Sequence, residues 1–253
     1  MRLSFVVPAY NEEAYLPACL ESILAQTREL GDDVEIVVVN NASTDRTREV
    51  ALGYPGVRVV DETRKGLTFA RQAGFAASSG ELIANVDSDS RLTPGWVETV
   101  LKNFAADAKL VSLSGPFIYY DLTPQQRVSV QVFYVIAFMV YAVNRWVLRA
   151  GSMVQGGNFV LRRDALVKIG GFDTTISFYG EDTDIARRMN QVGTVKFTNR
   201  LKMFSSARRL NKEGMLTMAG RYTLNYFWTT FRKKPFTKEY VDIREEAVVK
   251  PKV

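Results

Sequence analysis

Short apolar runs rich in Val and Ile alternate, through the first half of the chain, with stretches whose apolar residues recur every three or four positions. Leu3-Ser-Phe-Val-Val-Pro8 reads as a strand, Glu12 to Gln26 as a helix with apolar positions at Leu16, Cys19/Leu20 and Ile23/Leu24, and Glu35 to Asn40 as a second strand. Ser43/Thr44 can cap a helix through Leu52, Val57 to Asp61 is a third strand, Leu67 to Ser78 a helix, and Leu82 to Val86 a fourth strand. Thr93-Pro94 supplies a cap and a first-turn proline for a helix reaching Phe104. Strands apolar on both faces and separated by helices predict an α/β fold with a mostly parallel, covered central sheet.

Beyond Leu110 to Gly115 the alternation stops. Pro124 to Arg149 is long and apolar, Asn158 to Leu161 follows Gly156-Gly157 as a short strand, and Asp164 to Ile169 is a short helix closed by Gly170-Gly171. A helix rich in Met and aromatic residues spans Gly214 to Arg232 and leads into Arg232-Lys233-Lys234, after which a polar tail is expected to be mobile. The pattern predicts three parts: 1–115, an appended region 116–213 on the same sheet, and a helical C-terminal part 214–253.

Composition narrows the chemistry. There is no histidine and one cysteine among 253 residues, so imidazole catalysis, His-containing zinc sites, disulfides within the chain and thiolate clusters are all excluded. Acid and base work must fall to carboxylates, Lys, Tyr or Cys19. The N-terminus lacks a signal-peptide pattern, and the longest uncharged stretch, Val128 to Asn144, has 17 residues against the roughly 20 of a spanning helix. A cytoplasmic protein is expected. The net charge of +6 is uneven: Arg187 to Lys238 carries +12 and the remainder −6. Such a basic segment suits nucleic acid, anionic lipid headgroups or phosphorylated substrates, and net charge alone does not choose among them.

In open parallel sheets ligands sit at the carboxyl ends of strands. Four polar segments stand there: Pro8-Ala-Tyr-Asn-Glu12, Asn40-Asn-Ala-Ser-Thr-Asp45, Asp61-Glu62 with Arg64-Lys65-Gly66, and Asp87-Ser-Asp89. Each alone is an ordinary loop; their succession is the signal. Asp87 and Asp89 offer hard oxygens for a magnesium or manganese ion shared with a diphosphate. Glu181-Asp182, opening a helix, is a second acidic pair and a candidate general base, although acids in a first helical turn often serve only the helix dipole. No Gly-x-Gly-x-x-Gly follows the first strand and no Walker sequence occurs, which disfavours dinucleotide oxidoreductases and P-loop enzymes.

Together Val6-Val-Pro-Ala-Tyr-Asn-Glu12, Val39-Asn-Asn-Ala-Ser-Thr-Asp45, Lys65-Gly66 with Ala70-Arg71, Val86-Asp-Ser-Asp89, Gly170-Gly-Phe172 and Glu181-Asp182 resemble the inverting family 2 glycosyltransferases of the GT-A fold, from Leu3 to about Arg209. The resemblance implies a Rossmann-like sheet, with 1–115 as the nucleotide-sugar half and 116–213 as the acceptor side. It implies transfer of a sugar from a nucleotide-diphosphate sugar to a glycan or lipid-linked acceptor, in cell-surface polysaccharide or glycolipid synthesis of the bacterial type. Pro8, Ala9, Tyr10 and Glu12 would line the nucleotide pocket with Lys65, Asn40 would meet the base edge, and Arg71 would lie near the base or phosphates. Asp89 would hold the metal directly, with Asp87 nearer the ribose and Ser88 between them; Gly157 and Asn158 would sit beside donor sugar and acceptor. Asp182 matches the catalytic base and Glu181 its helper, the sequence leaving open which takes the proton.

This chain departs from the family in two places. Asn40 stands where an Asp is common, and an amide both donates and accepts, so a uridine donor is not implied. A histidine that often completes the metal site downstream is missing, and Arg208 or Arg209 in Ser205-Ser-Ala-Arg-Arg209 can neutralise the leaving diphosphate instead. A nucleotidyltransferase or an inactive nucleotide-binding scaffold would share the architecture. The aromatic and basic C-terminal helix with the Val132 to Val143 segment raises peripheral binding to an anionic membrane, at the inner face of the plasma membrane; nucleic acid is not expected as a partner.

Overall fold

The computed structural model describes residues 1–143, 153–237, 242 and 244. Its central sheet holds β1 (Leu3–Ala9), β2 (Val34–Asn41), β3 (Val57–Glu62), β4 (Leu82–Val86), β6 (Leu110–Ser114), β8 (Asn158–Arg162) and β9 (Thr194–Phe197) in the order β3-β2-β1-β4-β8-β6-β9. Pairing is parallel throughout except on both sides of β8, which runs antiparallel to β4 and β6. The sheet is therefore mixed and mostly parallel. Every residue of β1 and β4 is buried. Burial of each such Val, Leu or Ile side chain contributes about 1.5–3 kcal/mol, and it comes from helices on both faces. One layer packs α1 (Leu16–Thr27) and α4 (Trp96–Ala106) under Phe5, Val7, Val38 and Ala84; the other packs α3 (Leu67–Ala77) and α7 (Glu181–Met189) against Val6, Val37 and Ile83.

A second sheet of three short strands, β5 (Ser90–Leu92), β10 (Met203–Ser205) and β7 (Phe117–Tyr119), lies in the order β5-β10-β7. The hydropathy pattern misses all three and also β9, because runs of three or four residues are too short to show a period. The remaining helices are α2 (Thr47–Leu52), α5 (Pro124–Ala142), α6 (Arg163–Lys168), α8 (Arg208–Glu213) and α9 (Met215–Arg232). Asn144 to Arg149 and most of the polar tail, for which sequence expectations were given, lie outside the described residues. Among the described residues no helix is long and apolar enough to cross a membrane.

Two expected helix starts are corrected. The first helix begins at Leu16, not Glu12, because the Glu12 backbone N–H donates to Thr47 Oγ1 at 2.7 Å and Asn11 takes a φ of 51°. The fourth begins at Trp96, with Gly95 at its cap at φ 76°, because the Thr93 hydroxyl donates to the Lys202 carbonyl at 2.7 Å instead of capping. Both residues are diverted from local structure to long-range contacts.

Candidate active site

The carboxyl ends of β1, β2 and β4 open into a cavity of about 380 Å³, within the roughly 300–1,000 Å³ usual for small-molecule sites. Pro8, Ala9, Tyr10, Lys65, Arg71, Asp87, Ser88, Asp89, Glu181, Asp182 and Arg208 all line it, so most of the residues expected from the sequence converge. Lys65 donates to the Tyr10 hydroxyl at 2.9 Å and pairs with Asp242 at 2.7 Å.

Asp87-Ser88-Asp89 turns sharply, with the Ser90 N–H donating to the Asp87 carbonyl at 2.9 Å, and leads into β5. Glycine is required opposite it. Gly157 has a φ of 79°, and a Cβ there would overlap the Asp87 carboxylate. A Cβ on Gly156 would press on the carboxylate oxygens of Glu181 and Asp182. Gly156-Gly157 thus lets both acidic pairs approach one strip of backbone.

Arg71 is 1% exposed and joins the two pairs: one guanidinium nitrogen contacts Glu181 and another lies 3.3 Å from Asp87. Arg71 thus lines the cavity with its charge engaged by protein carboxylates. Burial pushes Glu181 up to about 7, against the pull of Arg71 and with a further push from Asp182. Asp182 is likewise raised by burial, and N–H groups of Thr183 (2.7 Å) and Gly156 moderate the rise. The helix that presents them is anchored by Asp184, which accepts from Arg187 at 2.7 Å and Arg188 at 2.6 Å; Arg188 also donates to the Gly171 carbonyl at 2.6 Å.

Arg208 donates to Asp89 at 3.0 Å and also contacts Glu12, whose carboxylate is fully buried and receives a second hydrogen bond, of 2.7 Å, from Arg244. Glu12 therefore lies beneath the cavity wall. Asp121 holds the approach to Arg208: its carboxylate accepts from Ser206 Oγ and from the Ala207 N–H, each at 2.6 Å. Neither Asp121 nor Arg244 has a local sequence signal that could have marked it.

Two expectations are corrected. Asn158 does not face the cavity: it is fully buried, its amide donating to the Gly115 and Leu201 carbonyls at 2.9 and 2.8 Å and accepting from Trp96 Nε1 at 3.0 Å. Antiparallel β8 turns this side chain into the core, where its three hydrogen bonds tie distant segments together. Asn40 donates to Asp61 at 2.8 Å and is absent from the cavity wall, which Asn41 lines instead. The alternation of side chains along β2 puts neighbouring residues on opposite faces, and only the second asparagine faces the opening.

The donor set fits a hard divalent cation in part. Asp89 is pushed up to about 6, first by burial, with Arg208 opposing and the Glu12 and Asp87 carboxylates adding to the rise, and Glu12 Oε2 is buried without a hydrogen-bond partner. The Glu12, Asp87 and Asp89 carboxylates meet here, opposed by Arg71, Arg208 and Arg244, and the anionic donors they offer a cation are all oxygens. Among the described residues no three metal-binding side chains surround one point, so diphosphate oxygens would have to complete the shell.

Asp182 lies on a boundary. Together with Tyr119, Gln155, Gly180, Leu210 and Tyr222 it lines both this cavity and a second one of about 190 Å³ between α5 and α9.

Comparison with known proteins places this geometry. The glycosyltransferase GlyA of Streptococcus pneumoniae is 36% identical over 105 residues, covering 40% of this chain and 15% of that protein. Matches of this kind span about a third or less of the relatives' own lengths. In fold, the chain superposes on the mannosyltransferase PcManGT of Pyrobaculum calidifontis, solved with GDP-Man and Mn2+, with a TM-score of 0.69 at 20% identity, covering 91% of this chain and 64% of that one. Glucosyl-3-phosphoglycerate synthase of Mycobacterium tuberculosis, solved with Mn2+ and UDP-glucose, gives 0.61 at 21% identity, covering 90% and 78%. Both likenesses establish the GT-A type of fold. The sequence profile described as Glycosyl transferase family 2 matches residues 4–170, about two thirds of the chain, and this protein belongs to that family.

Proposed function

We propose that the chain is a metal-dependent inverting glycosyltransferase, which moves a sugar from a nucleotide-diphosphate sugar to a hydroxyl of a glycan or lipid-linked acceptor. One observation carries this reading: a single cavity is lined both by Asp87 and Asp89 and by Glu181 and Asp182, and Asp182 also opens onto a second cavity. Nucleotide sugars with Mn2+ in two proteins of the same fold support the donor class.

A magnesium or manganese ion held by Asp89 and Asp87 would supply electrostatic stabilisation of the leaving diphosphate. Asp182 takes the proton of the acceptor hydroxyl. The freed oxygen pair bonds to the anomeric carbon from the face opposite the diphosphate, whose bond to carbon breaks with its electron pair leaving on the diphosphate. One displacement inverts the anomeric configuration without a covalent intermediate. Arg71 keeps Glu181 and Asp87 together while these charges shift, and Arg208 faces the side where negative charge grows. Elevated basicity suits Asp182 to the task, since a base works best when its pKa approaches the working pH.

The test is release of nucleoside diphosphate across the common sugar nucleotides, with and without EDTA. Asp182→Asn should lower transfer by about 10²- to 10⁴-fold while donor binding survives. A wild-type chain that binds nucleotide sugars but turns none over would leave a scaffold role, and release of pyrophosphate from a nucleoside triphosphate would indicate a nucleotidyltransferase.

A further inference from the structure

The second cavity differs in kind from the first. Its walls come from α5 (Val130, Phe133, Ile136), from α9 (Met215, Ala219, Tyr226), and from residues between and below them, and among the described residues Asp182 is the one carboxylate along it and no Lys or Arg lines it. Sugar hydroxyls need hydrogen-bonding partners at nearly every edge, because an unpaired buried polar group costs about 1–3 kcal/mol. Several of the polar side chains along this groove are already engaged: Tyr134 donates to Gln155 at 3.1 Å, and Asn225 donates to the Arg221 carbonyl at 2.8 Å and to Thr237 at 2.7 Å. The apolar character also continues outward over both walls: Val132, Val135 and Met139 on α5 and Phe227, Trp228 and Phe231 on α9 are exposed. Exposed Arg232, Lys233 and Lys234 follow at the end of α9.

We infer that the acceptor is an amphiphile drawn from an anionic lipid surface, its hydroxyl-bearing head at Asp182 and the first part of its hydrocarbon chain in the groove between α5 and α9. The inference rests on Asp182 receiving the acceptor proton, and it adds the class of acceptor. The two cavities adjoin at Asp182, with Tyr119, Gln155 and Tyr222 lining both, so a head in one and a tail in the other would belong to one molecule passing beside these side chains. The basic end of α9 complements anionic headgroups beside the groove mouth.

Equilibrium binding to the full chain of octyl β-glucoside, kept monomeric, and of methyl β-glucoside tests it, since the two probes share a head and differ only in the tail. The tailed probe is expected to bind at least about tenfold more tightly, as a few buried methylenes suffice for that ratio. Ala219→Trp, which fills the groove, and Ile136→Asp, which places a charge on its solvent edge, should each remove most of that advantage. Thermal stabilisation by nucleoside diphosphate with Mn2+ should be the same in both variants as in the wild type. Should Ala219→Trp fail to fold, Ile136→Asp at an exposed position still decides. Equal affinity for the two probes, or a tail preference that survives Ile136→Asp, would overturn the inference. Transfer to the methyl glucoside as fast as to the octyl glucoside would also overturn it while leaving the transferase reading intact; tail-dependent binding without any release of nucleoside diphosphate would do the reverse.

Discussion

Arg71 carries a permanent charge in a place that water does not reach, and its companions, Glu181 and Asp87, are one member of each acidic pair that lines the cavity. Removing it leaves Glu181 and Asp87 unbalanced in the interior. Arg71→Met should therefore cost about 3–5 kcal/mol in denaturant unfolding, the usual penalty for breaking a buried ion pair, whereas the exposed pair Arg46 with Glu13 should give less than about 1 kcal/mol. The same pair of acids governs the pH response. Glu181, lifted to about 7 by burial, and Asp182 lose their protons as a coupled pair, so kcat/KM should fall as pH drops below about 7. Glu181→Gln removes a neighbouring negative charge from Asp182, which makes ionisation easier, so the acid limb should move to lower pH; an unmoved limb would detach Glu181 from the base. The sign for stability is opposite to that of an ordinary paired carboxylate. Because the folded value is raised, Glu181 stabilises the fold most fully below its ordinary value of 4.5 and loses that contribution as pH climbs through about 7. At this scale the sequence was most informative where strand ends coincide with acids. It was least informative for Asn158 and Asn40, because which face a strand residue occupies depends on a partner strand that no local pattern announces.

The elements that position the site are long-range constructions. β10 pairs with β5 and β7, and so brings the segment leading to Arg208 alongside the turn that holds Asp89. Asp121, just beyond β7, then fixes Ser206 and Ala207. Asp121→Ala should cost about 1–3 kcal/mol of stability through the Ala207 N–H left without its acceptor. It should weaken donor binding in a titration with nucleoside diphosphate more than it slows turnover at saturating donor, because Arg208 would lose its mooring while Asp182 keeps its own. Equal donor affinity in wild type and variant would show that Arg208 is held by its acids alone. The parallel strands and long helices were legible from periodicity, since an apolar run or an amphipathic stripe is a local property. The small sheet was not, because each of its strands is three residues long and acquires its identity only from its neighbours.

Seen as a whole, the molecule distributes its charge differently from the count along the chain. Five cations of the +12 segment are engaged in internal ion pairs: Arg187 and Arg188 with Asp184, Arg208 with Glu12 and Asp89, and Arg209 and Arg221 with Glu213. Among those that face outward, Arg232-Lys233-Lys234 are consecutive and follow the exposed apolar residues of α9. Flotation with anionic vesicles should therefore be retained by the wild type at low salt and weakened by salt. Alanine at both Lys233 and Lys234 should cost about 2 kcal/mol, near 1 kcal/mol for each cation at a charged bilayer. A chain left in the soluble fraction at low salt would remove the membrane from its account.

Strand order has a consequence for how the protein can be divided. β8 lies between β4 and β6, so Asn158–Arg162 is threaded between two strands that precede it in the chain rather than laid after them. Fragment 1–115 would leave the β4 edge open where Asn158 to Arg162 should lie, and it would lack the amide that locks Gly115 to Leu201. During synthesis, the central sheet cannot close until residues 158–162 have been made, and exchanging residues 1–115 for those of a relative would remake the edge on which β8 must pair.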